Sequence, residues 1–262
     1  MSHITTPHSY PIIADLHTHT IASDHAYSTV QENAAAAALA GMRAIAMTDH
    51  GPALPDAPNP WYFDSMGVIP DYVGGVRVYK GAEANIKALD GSLDLSEHTL
   101  KHLEWVIASM HGPTCPHGTP EEITDCWLRV AADPLVDCIG HCGSEEYLFD
   151  YRRGIEAFAK YGKIVEINNH SFDVRRGAGE HCGSIARLCM EYGVRVVLTS
   201  DAHFSSQVGV FGHSEAILEE CNFPEELILN ASWERLEEYM LGRNHPGHSV
   251  ACPSKEGNIS AT

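Results

Sequence analysis

Histidine and carboxylate residues recur in short clusters that directly follow apolar segments of the chain. The clusters are Asp15-Leu16-His17-Thr18-His19, Thr48-Asp49-His50, Glu83, His111, His141 and Ser200-Asp201-Ala202-His203. Residues two apart on a strand project from the same side, so His17 with His19, and Asp201 with His203, can each direct two ligands at one centre. Imidazole and carboxylate ligands suit zinc, manganese or iron.

The apolar segments before these clusters predict seven short β-strands with helices between most of them. The predicted strands are Ile12–Leu16, Arg43–Thr48, Val76–Gly81, Trp105–Met110, Val136–Gly140, Lys163–Asn168 and Val194–Thr199. The predicted helices are Gln31–Ala40, Pro120–Ala132, Asp150–Lys160, Glu180–Tyr192, Ser214–Cys221 and Ser232–Leu241. This alternation predicts an α/β fold with a parallel sheet. Seven strands favour a closed or nearly closed barrel, and periodicity alone leaves an open doubly wound sheet as the alternative.

A parallel barrel would bring the six clusters together, because the carboxyl ends of its strands all open on one face. A lone histidine after a strand is usually structural, but six such coincidences predict a metal site. With His25 included, the candidate ligands number nine: His17, His19, His25, His50, Glu83, His111, His141, Asp201 and His203. At three or four ligands each, with a bridging carboxylate, these residues suffice for two or three metals.

Composition excludes several other classes of protein. The 262 residues include 17 Lys+Arg and 35 Asp+Glu, a formal net charge of −18, which disfavours binding to extended nucleic acid. No apolar run approaches the ~18 residues of a membrane span, and residues 1–10 lack the pattern of a secretory signal. The eight cysteines contain no C-x-x-C pair. We therefore expect a cytoplasmic protein with reduced thiols and no membrane partner.

The chain divides into one large domain and two short ends. Residues 1–11 are predicted to be an N-terminal extension, residues 12–242 the barrel domain, and residues 243–262 a disordered, polar tail. Residues 51–75, rich in proline, glycine and aspartate, are predicted to be a long functional loop or lid.

The motifs resemble those of a known family. Ile13-Ala14-Asp15-Leu16-His17-Thr18-His19-Thr20, Thr48-Asp49-His50-Gly51 and Ser200-Asp201-Ala202-His203 are similar to motifs of the PHP (polymerase and histidinol phosphatase) family. The segments His25-Ala26-Tyr27-Ser28-Thr29, Asp56-Ala57-Pro58, Gly81 to Lys87 and Glu166-Ile167-Asn168-Asn169 look closest to its YcdX-like phosphatase branch. The likeness covers roughly residues 12 to 241.

This resemblance implies a distorted (β/α)7 TIM-like barrel with a trinuclear metal centre, usually zinc, that hydrolyses phosphate esters. It implies that His17, His19, Asp201 and a bridging Glu83 hold one metal. Glu83, His111 and His141 would hold the second metal, and His25, His50 and His203 the third. One departure is Cys142, which follows His141 where this branch commonly has proline and which could change the loop or expose a thiol.

The resulting hypothesis is attack of a metal-activated water on a small phosphomonoester, with no protein nucleophile. Asp15 and Asp49 adjoin ligands and are candidates for orienting imidazoles, with capping or turn hydrogen bonds as an equal alternative. Arg175 and Arg176 follow the sixth predicted strand and are weak candidates for contacting the substrate phosphate, with solvated surface arginines as the alternative.

Three alternatives to this function stay open at the level of sequence. The same family includes histidinol-phosphate phosphatases, and a nuclease-like phosphodiesterase is weakened by the net charge of −18. A non-catalytic metal-binding protein would keep the ligands without turnover. The sequence does not determine the physiological substrate, the metal present in the cell, or whether the chain forms a homo-oligomer.

Overall fold

The computed structural model describes residues 10–243, so the predictions for residues 1–9 and 244–262 lie outside the described residues. The strands are β1 Ala14–Thr18, β2 Ala44–Met47, β3 Tyr72–Val73, β4 Val76–Asn85, β5 Trp105–Ser109, β6 Cys138–Ile139, β7 Ile164–Asn168 and β8 Val196–Thr199. The helices are α1 Val30–Leu39, α2 Pro60–Asp64, α3 Glu97–His102, α4 Pro120–Ala132, α5 Tyr151–Tyr161, α6 Ser171–Val174, α7 Ala178–Tyr192, α8 Gly212–Glu220 and α9 Trp233–Gly242.

Seven parallel strands form a nearly closed barrel in the order β1-β2-β4-β5-β6-β7-β8, and β3 pairs antiparallel with β4. At the carboxyl end the two outer strands meet, because Thr18 bridges Ala202 and the amide of His19 donates to the Ala202 carbonyl at 2.9 Å. The distorted (β/α)7 barrel is therefore confirmed, and the open sheet is wrong.

A buried asparagine closes the rest of the seam between β1 and β8. The Asn230 amide nitrogen donates to the carbonyls of Ala14 and Leu198, each at 2.7 Å. Its oxygen accepts from the Leu198 amide at 3.2 Å. These bonds satisfy backbone groups that a continuous ladder would otherwise pair.

Local sequence explains where the longer helices begin and end. Thr29 and Thr119 cap α1 and α4 in reciprocal capping boxes with Glu32 and Glu122. Gly162 ends α5 in a left-handed conformation, with φ of 65°, that favours glycine. The five residues of β5 are all buried, as expected for a parallel strand covered on both sides.

Apolar side chains fill the amino-terminal end of the barrel. Leu16, Trp105, Ile107 and Val197 form part of one buried cluster, and Leu236 of α9 packs into it. With that end closed by apolar packing, the carboxyl ends of the strands are left for polar groups.

One predicted strand boundary and one predicted loop are corrected. Strand β4 was predicted to end at Gly81 but continues to Asn85, so Glu83 lies within the strand. Gly81 marks a close approach instead, because a Cβ atom there would lie 2.6 Å from the Trp105 carbonyl oxygen. The predicted loop at residues 51–75 also contains α2 and β3.

Within residues 10–243, none of the helices has both the length and the apolar character needed to cross a membrane. The seven cysteines of this part of the chain are all free thiols.

Candidate metal centre

The nine predicted ligands lie together at the carboxyl end of the barrel. Each comes from a strand or from the loop that follows it, and the nine residues are His17, His19, His25, His50, Glu83, His111, His141, Asp201 and His203. Their ligand-bearing atoms approach one another over distances of a few ångströms. The parallel topology accounts for this convergence, because it directs every strand toward the same face.

Glu83 lies at the centre of this cluster, and its two oxygens face different imidazoles. Oε1 lies 2.9 Å from Nε2 of His141 and 3.3 Å from Nε2 of His111. Oε2 lies 3.4 Å from Nε2 of His17 and 2.6 Å from Nδ1 of His50. A carboxylate shared in this way between two groups of donors has the arrangement of a bridging ligand.

Six of the imidazoles form three pairs in which the Nε2 atoms face each other. These atoms lie 3.1 Å apart in His17 and His19, and 3.2 Å apart in the other two pairs, His111 with His141 and His25 with His50. Two nitrogens bound to one tetrahedral zinc at ~2.05 Å lie about 3.3 Å apart. Each pair therefore has the separation that one zinc ion requires.

Asp201 and His203 complete the cluster. Asp201 Oδ1 lies 2.9 Å from Nε2 of His19 and 3.5 Å from Nε2 of His17. The His203 ring lies 4.7 Å from the ring of His25 and 4.4 Å from that of His19, measured between centroids. Donor atoms of His203, His19 and His50 lie within 4.8 Å of one another, and so do those of His50, Glu83 and His111. The three proposed groups of ligands therefore adjoin one another.

Buried atoms without hydrogen bonds show that these residues fit a metal. Among the described residues, Glu83 Oε2 and His50 Nδ1 are both buried without a hydrogen-bond partner, although they lie 2.6 Å apart. A buried carboxylate oxygen without a partner is costly unless a cation satisfies it. The donor set of imidazole nitrogens and carboxylate oxygens is one that zinc, manganese and iron accept.

Charges in the cluster also suit metal binding. Burial alone would raise the pKa of Glu83, but His111, His17 and His50 hold the pKa of this carboxyl well below its usual range. Burial lowers the pKa of His19 well below its ordinary value. Burial and then the nearby Arg175 lower the pKa of His141 to about 4. Glu83 is therefore ionised, and His19 and His141 are neutral at pH 7, the forms in which they bind metals. Against the effect of burial, Glu166 raises the pKa of His17 and Glu83 raises the pKa of His50, so a metal competes with a proton at these two rings.

Three residues that sequence reasoning did not assign orient the imidazoles. Glu166 Oε1 accepts from Nδ1 of His17 at 2.5 Å and from the Thr199 hydroxyl at 2.7 Å. Asn85 Oδ1 accepts from Nδ1 of His111 at 2.7 Å, and Asp56 Oδ2 accepts from Nδ1 of His25 at 2.5 Å. Each contact leaves the Nε2 lone pair directed at the cluster. Glu166 could have been singled out from the sequence because a charged residue is unusual within a buried strand such as Ile164–Asn168.

The structure places Asp15 and Asp49 beside the centre with backbone and hydroxyl partners. Buried Asp15 accepts from the amides of Ser200 and Gly209, and burial raises its pKa to about 6. Asp49 accepts from Thr20, Ser23 and the Tyr62 hydroxyl, the last at 2.6 Å. These bonds hold the loops that carry the ligands, and Tyr62 ties the segment 51–75 to the centre.

The two arginines predicted as substrate contacts lie in different environments. Arg175 is 18% exposed, with Nη1 3.8 Å from Asp201 Oδ2 and 3.2 Å from the Ser171 hydroxyl. Arg176 is 90% exposed and pairs with Glu145 at 2.9 Å.

On the basis of the sequence, Cys142 could expose a thiol. In the structure this thiol is buried and lies close to Cys182.

Replacing Glu166 with glutamine is expected to lower zinc affinity and kcat/KM by about 10- to 100-fold. A glutamine has one acceptor oxygen and no charge, so it cannot satisfy the three donors of His17, Thr199 and the His141 amide as a carboxylate does. Zinc titration and steady-state kinetics with an aryl phosphate measure both effects. Glu156→Gln, on the exposed side of α5, is the matched control, and equal affinities for the two variants would contradict this role.

Comparisons with known proteins identify relatives over most of the chain. A sequence profile of the PHP domain matches residues 15–170. A probable phosphatase of Acetivibrio thermocellus is 44% identical over 228 residues, which cover 87% of this chain and 95% of the relative. A probable phosphatase of Caldanaerobacter subterraneus is 45% identical over 231 residues, covering 87% and 91%.

A solved structure has the same fold. Histidinol phosphate phosphatase from Lactococcus lactis, in a complex with zinc, L-histidinol and phosphate, aligns with a TM-score of 0.57 at 15% identity. The alignment covers 81% of this chain and 94% of that one. Because the profile spans more than half of the chain and the relatives named as phosphatases cover most of it, the chain belongs to the PHP domain family and is a phosphoric ester hydrolase.

Proposed function

We propose that this phosphatase hydrolyses small phosphomonoesters in the cytoplasm at a centre of three divalent metals. The observation that carries the proposal is the set of three Nε2 pairs gathered around Glu83. His17 and His19 with Asp201 and Glu83 would hold one metal, Glu83 with His111 and His141 the second, and His25 and His50 with His203 the third. Zinc fits the separations within the pairs, and manganese or iron are the alternatives.

The metals, when bound, would lower the pKa of a coordinated water and neutralise charge on the phosphoryl group. The chain's own contribution is to hold the donors in place. Glu166, Asn85 and Asp56 set the orientation of His17, His111 and His25 through their Nδ1 atoms. A nucleophilic side chain is not required by this chemistry.

Arg175 is the residue we assign to the substrate phosphate. Its guanidinium interacts with both Asp201 and His141, and its contact of 3.8 Å with Asp201 is too long for a hydrogen bond. Donors of the guanidinium are therefore available to a phosphate, which arginine can bind with two parallel bonds. Its position beside the ligands suits a phosphate held at the metals.

Replacing Arg175 with alanine is expected to raise KM for an aryl phosphate by about 10- to 100-fold, because a charge-assisted hydrogen bond contributes ~1.5–3 kcal/mol. Steady-state kinetics measure this effect, and Arg175→Lys should restore part of the loss. The exposed neighbour provides the comparison, since Arg176→Ala should leave KM within about twofold. An unchanged KM in Arg175→Ala would remove this residue from the substrate site.

The proposal is tested by comparing substrates with the purified, zinc-loaded protein. We expect 4-nitrophenyl phosphate to be hydrolysed with a kcat/KM at least about tenfold above that of bis(4-nitrophenyl) phosphate. Preference for the diester would favour a phosphodiesterase. Histidinol phosphate, included as a third substrate, tests whether this chain has the activity for which the Lactococcus lactis enzyme is named. A protein that binds zinc but turns over none of the three would be a metal-binding protein without catalysis.

A further inference from the structure

A row of aromatic and imidazole rings extends outward from the candidate metal centre. We call it the aromatic wall and define it by His170, Phe172 and His213. The His170 ring lies 5.7 Å from the ring of the candidate ligand His203, measured between centroids. The Phe172 and His213 rings are stacked, with centroids 5.6 Å apart and planes at 21°.

Asp173 connects the two imidazoles of the wall. One carboxylate oxygen lies 3.8 Å from Nδ1 of His170, and the other lies 3.9 Å from Nε2 of His213. The wall thus begins beside the metal centre at His170 and continues through Asp173 to the stacked pair of Phe172 and His213.

Two adjacent asparagines at the end of β7 fix this wall relative to the ligands. Asn168 Oδ1 accepts from the Ser171 amide at 2.8 Å, and its Nδ2 donates to Asp201 Oδ2 at 3.0 Å. Asn169 Oδ1 accepts from the His213 amide at 2.9 Å. The turn that carries Phe172 and the first turn of α8 are therefore both anchored beside Asp201. The rings of the aromatic wall therefore have a fixed position relative to a group bound at the metals.

The rings of the wall are accessible. The His213 side chain is 60% exposed, and Phe172 is half-buried, whereas Phe211, two residues before His213, is fully buried. Neighbouring side chains cover both faces of an aromatic ring in a packed core. Phe172 and His213 instead keep solvent-exposed surface that a further ring can contact. Stacking on such a face contributes ~0.5–1.5 kcal/mol beyond the burial of apolar area.

We propose that the aromatic wall binds the leaving group and selects phosphomonoesters whose alcohol carries an aromatic ring. This inference rests on the proposed phosphatase function and names the class of its substrate. With the phosphoryl group at the metals, the alcohol would extend past His203 to His170, whose ring centroid lies 5.7 Å from that of His203, and from there toward Phe172 and His213. The bond broken is the phosphorus–oxygen bond, so the ring leaves with the alcohol.

The test compares three alkyl phosphates with similar leaving-group oxygens, namely 2-phenylethyl, 2-cyclohexylethyl and ethyl phosphate, on the zinc-loaded full chain. We expect wild type to favour the phenyl over the cyclohexyl ester in kcat/KM by at least about threefold. Phe172→Ala and His213→Ala should lower kcat/KM for the phenyl ester by about five- to tenfold and for ethyl phosphate by less than about twofold. Leu39→Ala, an exposed apolar position in α1, is the control.

Binding provides a second measurement. The Kd of 3-phenylpropylphosphonate, which cannot be hydrolysed and has the same number of atoms between phosphorus and ring as 2-phenylethyl phosphate, should rise about five- to tenfold in Phe172→Ala. If Phe172→Ala does not fold, Phe172→Leu replaces it. Equal kcat/KM for the phenyl and cyclohexyl esters in wild type, or equal losses on all three substrates in Phe172→Ala, would overturn the aromatic wall while the phosphatase stands. Absence of turnover of every ester would overturn both proposals.

Discussion

Replacing Glu83 with glutamine is expected to lower kcat/KM for an aryl phosphate by about three orders of magnitude, equivalent to ~4 kcal/mol of transition-state stabilisation. Both oxygens of Glu83 face imidazoles, Oε1 toward His111 and His141, and Oε2 toward His17 and His50. A glutamine has no charge and would direct an NH2 group at one of these sets. We therefore expect loss of shared coordination and of at least one bound metal.

Kinetics with 4-nitrophenyl phosphate and metal analysis of the same preparation measure this effect. Glu226→Gln makes the same chemical change at an exposed position near the amino end of β8 and should match wild type in both measurements. Circular dichroism shows whether the Glu83 variant is folded. A folded Glu83→Gln protein with its full metal content and activity within tenfold of wild type would exclude a bridging role.

Chelation is expected to abolish activity and to remove the metals in two phases. The ligands of the three groups differ in exposure: the side chain of His25 is 44% exposed, whereas His17 is fully buried and His141 is 2% exposed. A chelator would therefore reach the metal that we propose at His25 and His50 first. We expect one equivalent to be released rapidly, two equivalents slowly, and activity to return when zinc is added to the protein.

A zinc-sensitive dye in competition with the protein measures these phases directly. His25→Ala is expected to lack the rapid phase and to keep the slow one, because it removes a donor from the exposed group alone. Release of all metal in a single phase from wild type, or turnover that persists after chelation, would contradict this assignment.

Strand periodicity and cluster spacing predicted most of the fold and the convergence of the nine candidate ligands at one end of the barrel. His17 and His19 lie two apart at the end of a short apolar strand, and this local pattern was sufficient to place both side chains on one face. The confirmed barrel topology then brings these clusters to one end, as alternation of strands and helices predicted. The shared face of His17 and His19 follows from the alternation of side chains within one strand. The convergence of the clusters follows from the parallel direction of the strands, which the order of strands and helices predicts.

Features that depend on contacts between distant segments were not predictable. Arg175 and Arg176 are adjacent, and only the turn formed by α6 decides that one faces Asp201 and the other pairs with Glu145. The contact between Glu166 and His17 joins residues 149 positions apart. The Asn230 side chain provides hydrogen bonds where the backbone ladder between β1 and β8 is interrupted, and no periodic pattern in the sequence predicts this role.

The number and position of the metals in the zinc-saturated protein test the proposed trinuclear centre most directly. Elemental analysis combined with anomalous diffraction at the zinc edge gives both quantities. We expect three zinc ions per chain, one beside each of the pairs His17 with His19, His111 with His141 and His25 with His50. One ion or none per chain, or ions located away from Glu83, would contradict the proposed centre.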